Sequence, residues 1–242
     1  PDVSQVNITV TENEDSINIY FLVFSKDLPR DDGSGKKDYI KIAYRTNKKF
    51  DTVEKADTNL FAFFPTKVQT GLSFICQGPF DLTTNREGLL ENNSRNKEIW
   101  GILRSLYSES LDFLKQKKLI DLEFLNIMPI DSFISDDNQI YESFGNTLTE
   151  KLKQDALTPT TLGFGRANEV MISKDIGLSE IFGAKDIRIL FGRNKWVKKD
   201  IAKQRYNKLR QYLNNNVGVI SVTTRELTNN LSKNFQLNQS HS

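Results

Sequence analysis

The chain of 242 residues has one Cys and one His, and that scarcity removes whole classes of chemistry. A single thiol forms no internal disulfide, and Cys76 stands in the apolar run Leu72 to Cys76, where a buried structural thiol is the expected role. His241 is the penultimate residue of a polar tail. Zinc sites built on Cys and His, Ser-His-Asp triads and histidine general bases are therefore excluded. No apolar run approaches the roughly 18 residues of a membrane span. Residues Pro1 to Gln5 lack the charged and apolar regions of a secretion signal, so a cytoplasmic location is expected, with no membrane partner. Net charge is small as well, 33 Lys plus Arg against 31 Asp plus Glu, which excludes a uniform polycation. Chemistry is left to Arg, Lys, Asp, Glu and backbone groups.

What is present is aromatic and patterned, with 16 Phe in a chain that is 38% hydrophobic. The first third alternates with period two over Val6 to Thr11, Ile17 to Phe24 and Asp38 to Arg45, which predicts antiparallel strands. Leu60 to Phe64 and Ser73 to Gln77 read as buried strands, the first stopped by Pro65 and the second by Gly78 and Pro79. From Asn96 the period becomes 3.6. Ile99, Leu103, Leu106, Tyr107, Leu111 and Leu114 share one helix face, with Lys115, Lys117 and Lys118 at the end that favours cations. A second helix is predicted over Asp137 to Gln154.

The last third predicts strands at Glu169 to Ile172, Ile187 to Phe191 and Val217 to Val222. Helices are predicted at Leu178 to Phe182, Lys198 to Asn214 and Arg225 to Leu231, the last capped by Thr223 or Thr224. Length and the prolines at 129 and 159 put a domain boundary near Asn126. The expected fold class is α/β (α+β), with a mixed sheet and packed helices over residues 1–125, a smaller α/β unit over 126–232 and a disordered tail over 233–242.

Three motifs invite a functional reading. Asp31-Asp32-Gly33-Ser34-Gly35-Lys36-Lys37 superficially matches a phosphate loop, but only Ser34 separates Gly33 from Gly35, too short for amides to wrap a phosphate, so a hairpin loop is expected. Gly163-Phe164-Gly165-Arg166 reads as a turn. The segment 185–210 holds ten Lys or Arg against two Asp, a charge of +8 that leaves −6 to the rest of the chain. With Trp196, Tyr206 and Tyr212 interleaved, it offers Lys195, Lys198, Lys199, Lys203 and Arg205 as candidates for nucleic-acid or protein-partner contact, or it is simply a solvated helix face.

The most specific stretch is Asn59 to Lys118. It contains Phe63-Phe64-Pro65-Thr66-Lys67, Gly78-Pro79-Phe80 and Asn85-Arg86-Glu87-Gly88-Leu89, followed by the amphipathic helix. In this order it resembles the middle domain of the heat shock protein 90 family, and still more closely the sacsin-like and bacterial members of the same GHKL ATPase superfamily. The resemblance implies a ribosomal-protein-S-five-domain-2-like first half and a transducer role within a chaperone ATPase, possessed of no catalysis or ATP of its own. It assigns to Arg86 a catalytic contact with the γ-phosphate of ATP, and to Lys67 a second phosphate contact. The nucleotide and its magnesium ion would sit in a preceding ATPase domain that is not in this sequence. Its implied partners are that domain and a client or partner protein, in a parent that is an ATPase and a homodimer. The sequence departs from the family at Thr83, where the heat shock protein 90 members have Asn, and at Leu90 and Glu91, where they have a nearby Gln. The alternative expectation is a nucleic-acid-binding module centred on 185–210.

Overall fold

The structure is a computed structural model that describes residues 1–12, 15–30, 35–56, 59–130 and 139–239. Asp31 to Ser34 of the glycine-rich loop, the start of the helix expected from Asp137, and His241 lie outside the described residues. The architecture is mixed α and β, in two compact units. One comprises residues 1–119 and 127–148, the other 120–126 and 149–242, so the chain passes between them near 119, 126 and 148.

The first unit is built on a mixed sheet. Its strands are β1 (Asp2–Glu12), β2 (Asp15–Pro29), β3 (Lys37–Thr46), β4 (Val53–Glu54), β5 (Asn59–Ala62), β6 (Phe64–Gln69) and β7 (Ile75–Gln77). They lie in the order β1-β2-β3-β7-β5-β6, with β4 beside β3. Neighbours run antiparallel except β5 and β7, which are parallel. The alternation of the first third thus reads directly as three paired strands. Leu60 to Phe64 does not form one strand: the chain turns at Phe63, whose φ is +63°, and Pro65 enters β6. Proline is tolerated there because β6 is an edge strand, with a neighbour on one side only among the described residues.

Helix α1 (Ser94–Gln116) covers the sheet with the face its periodicity predicts, and Ile99, Leu103, Leu106, Tyr107, Leu111 and Leu114 are fully buried. Phe24 of β2 meets Phe113 edge-on at 5.4 Å, and the Tyr44 hydroxyl lies 2.8 Å from Ser110 Oγ. Phe74 stacks on Tyr107 at 5.2 Å, and Phe144 meets both rings edge-on. Burying each such ring stabilises the unit by about 1.5–3 kcal/mol. Cys76 is buried in β7, and burial pushes its thiol pKa upward, away from nucleophilic use.

Short helix α2 (Leu122–Ile127), which periodicity did not signal, leads toward α3 (Gln139–Gln154), which buries Tyr141, Phe144, Leu148 and Leu152 as its pattern predicts. The second unit continues with the hairpin β8 (Thr158–Thr160) and β9 (Gly163–Gly165), so the Gly163-Phe164-Gly165 segment is strand rather than turn. A Cβ at Gly165 would lie 2.3 Å from Val170 Cγ1, which explains the glycine. β10 (Val170–Ser173) is buried along its whole length and is the centre of a parallel three-stranded sheet with β11 (Lys195–Trp196) and β12 (Ile220–Val222). Helices α4 (Leu178–Ile181), α5 (Ala184–Phe191), α6 (Asn207–Tyr212) and α7 (Thr224–Gln239) complete it.

Three expectations for this unit are corrected. Ile187 to Phe191 belongs to helix α5, because Asp186 caps the Gly183 amide at 2.7 Å and Gly192, φ +67°, ends the helix in the left-handed region. Lys198 to Asn214 is not one helix. Lys203 is extended, splitting the segment into 3₁₀ turns (Lys199–Ala202, Gln204–Tyr206), α6 and a π turn (Leu213–Val217). Arg210 Nη1 donates to the carbonyls of Ile201 at 2.7 Å and Lys203 at 2.9 Å, satisfying backbone groups that a helix would have paired. The last helix is longer than Arg225 to Leu231, and α7 continues past Ser232 to Gln239, into the segment read as tail. Thr223 caps it through a reciprocal pair with Glu226. Among the described residues no helix is long and apolar enough to cross a membrane.

Candidate functional site

Beyond β7 the chain forms a small hairpin that carries Arg86. Its arms are joined by a bridge between Leu82 and Leu89 and by Leu90 N donating to Asp81 O at 3.1 Å. Thr83 N donates to Gly88 O at 2.9 Å, and Arg86 N to Thr83 O at 2.8 Å, which closes a tight loop over 84–87. Side chains fix the same loop. Thr83 Oγ1 accepts from Gly88 N at 3.1 Å and donates to Asn85 Oδ1 at 2.6 Å, and Asn85 Oδ1 also accepts from Glu87 N at 3.2 Å. Thr83 is thus the residue that organises this loop.

Arg86 stands at the tip with φ +57°, in the left-handed region where glycine would be less strained. It is exposed, and its guanidinium makes no hydrogen bond or ion pair among the described residues. An open concavity beside it is lined by Thr83, Thr84, Asn85, Glu87 and Gly88.

The hairpin's base is held rigidly by the start of α1. Asn93 caps the helix, its Oδ1 accepting from Asn96 N at 2.8 Å, while its Nδ2 donates to Asp81 Oδ2 at 3.1 Å. Asn96, only 4% exposed, accepts from Asp81 N at 2.8 Å and donates to Asp81 O at 2.9 Å, with Leu90 O at 3.4 Å. One buried amide therefore clasps both arms. Gly78 lets the chain pass close beneath, since a Cβ there would lie 2.8 Å from Ile99 Cγ2.

Neither asparagine was singled out by sequence reasoning. Asn93 was legible as a helix cap, and Asn96 as a polar residue on the apolar stripe at i, i+3 and i+7 with Ile99 and Leu103. Lys67, on β6, is brought to this hairpin from a distant part of the chain: its ammonium pairs with Glu87, the neighbour of Arg86. An incoming anion would have to compete with that carboxylate for Lys67, whereas Arg86 has no such competitor.

The basic segment of the second unit is arranged differently. Lys195 pairs with Glu169 at 3.0 Å, Lys199 with Glu180 at 2.9 Å, Lys203 with Asp200 at 2.9 Å and Arg205 with Glu123 at 2.8 Å. Lys195 hydrogen-bonded to Glu169 holds that carboxyl below its usual range. Of the five candidate cations, Lys198 alone has no partner among the described residues. Tyr206 is buried, donates to Glu123 Oε1 at 2.8 Å, and carries the Arg205 guanidinium 4.7 Å from its ring. Burial and then the Glu123 carboxylate push its pKa up to about 12. Trp196 is buried with Nε1 donating to Phe182 O at 2.6 Å, and Tyr212 is buried beside Thr149. The rings expected to stack on bases are core residues. The charge excess of 185–210 is real in sequence, but three of its cations, Lys195, Lys199 and Arg205, meet acids from outside the segment, and Lys203 meets Asp200 within it.

No family model matches the chain, and neither the curated proteins nor the solved structures include a match to it.

Proposed function

We propose that this chain is the middle, transducer-like part of a heat-shock-90-like GHKL ATPase, with a ribosomal-protein-S-five-like first unit, and that Arg86 contacts the γ-phosphate of ATP bound in a separate nucleotide-binding domain. One observation carries the reading: a guanidinium without a partner among the described residues stands at the tip, φ +57°, of a hairpin whose base is clasped by Asn96. A guanidinium is charged at every physiological pH and offers a planar fork of donors that suits phosphate oxygens. Because the hairpin is fixed before any ligand arrives, little ordering cost is left to the encounter. Bound ATP with its magnesium ion supplies the terminal phosphate. This chain supplies the cation that reads it, with Lys67 available only when Glu87 releases it. Presence of that phosphate would hold the two domains together, and its loss would release them, coupling turnover to the binding of a client or partner.

Arg86→Ala in the protein that includes its nucleotide-binding domain tests this. Turnover of ATP should fall by about 10²-fold, the usual cost of one charge-stabilising donor, while ATP affinity changes little. Unchanged turnover would overturn the proposal.

A further inference from the structure

The strand β1 ends the strand order of its sheet, with no further strand beside it among the described residues. Its register with β2 runs without a bulge from Asp2 opposite Ser25 to Glu12 opposite Asp15. β3 pairs only with Tyr20 to Pro29 of β2, so beyond Tyr20 the two strands project as a two-stranded ribbon. Such ribbons are marginal alone in water. One face is a polar ladder, in which Thr9 Oγ1 donates to Asn18 Oδ1 at 2.8 Å and Thr11 meets Ser16 at 3.1 Å. The opposite face carries the cross-strand pairs Val6 with Phe21, Ile8 with Ile19 and Val10 with Ile17. Helix α1 lies on the other side of the sheet, where Phe24 and Lys26 reach it. Ile8 and Val10 are each 47% exposed and Ile17 is 64% exposed.

Edge strands normally carry a lysine, a proline or a bulge that blocks further pairing. β1 has none of these. Between residues 2 and 25 the sequence holds four acids, Asp2, Glu12, Glu14 and Asp15, and no Lys or Arg. The backbone register sets Glu12 opposite Asp15 at the end of the ribbon. A second copy of the chain would bring the same excess of acidic residues to the new seam, which like charge disfavours.

We infer that β1 is a docking edge for an extended segment of a partner protein, one with alternating apolar residues flanked by Lys or Arg, which adds to the sheet as a further strand. Every second amide and carbonyl of β1 faces the open edge and pairs with the incoming backbone. The segment's apolar side chains extend the Ile8 and Val10 face, and its flanking cations meet the acids of the ribbon. The inference rests on β1 and its charge, and stands whether or not Arg86 reads a phosphate.

The probe is a fluorescent strand-length peptide of alternating Val and Thr with two Lys at each end, titrated into the full chain and followed by anisotropy and by amide exchange. Binding should slow exchange of alternate β1 amides, and a matched peptide with Glu in place of Lys should bind at least about tenfold more weakly, as screened charge attraction requires. Ile8→Lys, which places a blocking cation on the open face at a half-exposed position, should weaken the Lys peptide at least about tenfold. Val10→Lys gives a second, independent reading if Ile8→Lys fails to fold. The inference is overturned if neither peptide binds, if both bind equally, if protection falls outside β1, or if sedimentation shows β1 already occupied by a second copy of the chain.

Discussion

Replacing Arg86 by glycine should make the hairpin more stable while removing its proposed function. The φ of +57° costs an L-residue about 1–2 kcal/mol. Glycine relieves that cost but brings a more disordered unfolded chain, worth about 0.4–1 kcal/mol in the opposite direction. The side chain is exposed and has no partner among the described residues, so its removal forfeits almost no folded contact. The balance is a gain of about 0.5–1 kcal/mol for Arg86→Gly. Arg86→Ala keeps the strain and should stay within about 0.5 kcal/mol of the parent. Because the chain forms two units, a global melt is a poor reporter. Amide exchange of Thr83 and Gly88, whose hydrogen bonds close the loop, reads the local opening free energy directly. A loss of more than about 1 kcal/mol in either variant would show that the guanidinium holds the fold together, and the reasoning that it is kept for a ligand would fail.

Three further outcomes are expected. Asn96→Ala leaves the Asp81 N–H without its acceptor and removes one of the two donors to Asp81 O, and should lower protection of the Asp81 and Leu90 amides by about 1–3 kcal/mol; unchanged protection would contradict the clasp. Tyr206 has a folded pKa raised to about 12, above its unfolded value near 10, so its contribution to the second unit is fully present below pH about 10 and is lost as pH rises through about 12. The ultraviolet titration difference between the parent and Tyr206→Phe should therefore show a step near pH 12, and a step near 10 would refute the buried hydrogen bond to Glu123. A single-stranded oligonucleotide at physiological salt should bind the chain with a Kd no tighter than about 10⁻⁴ M, at the weak end of non-specific association; tighter binding that disappears on neutralising Lys198, Lys199, Lys203 and Arg205 would revive the nucleic-acid reading.

Periodicity carried the long elements. α1, α3 and β3 bury the faces their patterns mark, so local pattern and packing agree there, whereas β1 keeps its alternation although Ile8 and Val10 are half exposed. Short apolar runs were ambiguous. Ile187 to Phe191 has the composition of a strand, and only its flanking caps, Asp186 and Gly192, decide for helix. Phe63 and Pro65 divide what reads as one strand, since the turn depends on a backbone conformation that phenylalanine rarely adopts. The candidate site was half legible. Arg86 is recognisable from its neighbours in sequence, whereas its lack of a partner, the clasp by Asn96 and the approach of Lys67 to Glu87 arise only when distant segments meet. The ion pairs of the basic segment were hidden for the same reason: Glu123, Glu169 and Glu180, which pair with it, lie outside its own stretch of sequence.

The most direct measurement is nucleotide-driven closure in the proposed parent ATPase, followed by energy transfer between dyes on its proposed nucleotide-binding domain and on the first unit described here. With arginine at position 86, ATP should close the pair and ADP should leave it open. With Arg86→Ala, at unchanged nucleotide occupancy, ATP and ADP should give the same open state. Closure by ATP that survives Arg86→Ala undiminished would contradict the claim that this hairpin reads the γ-phosphate.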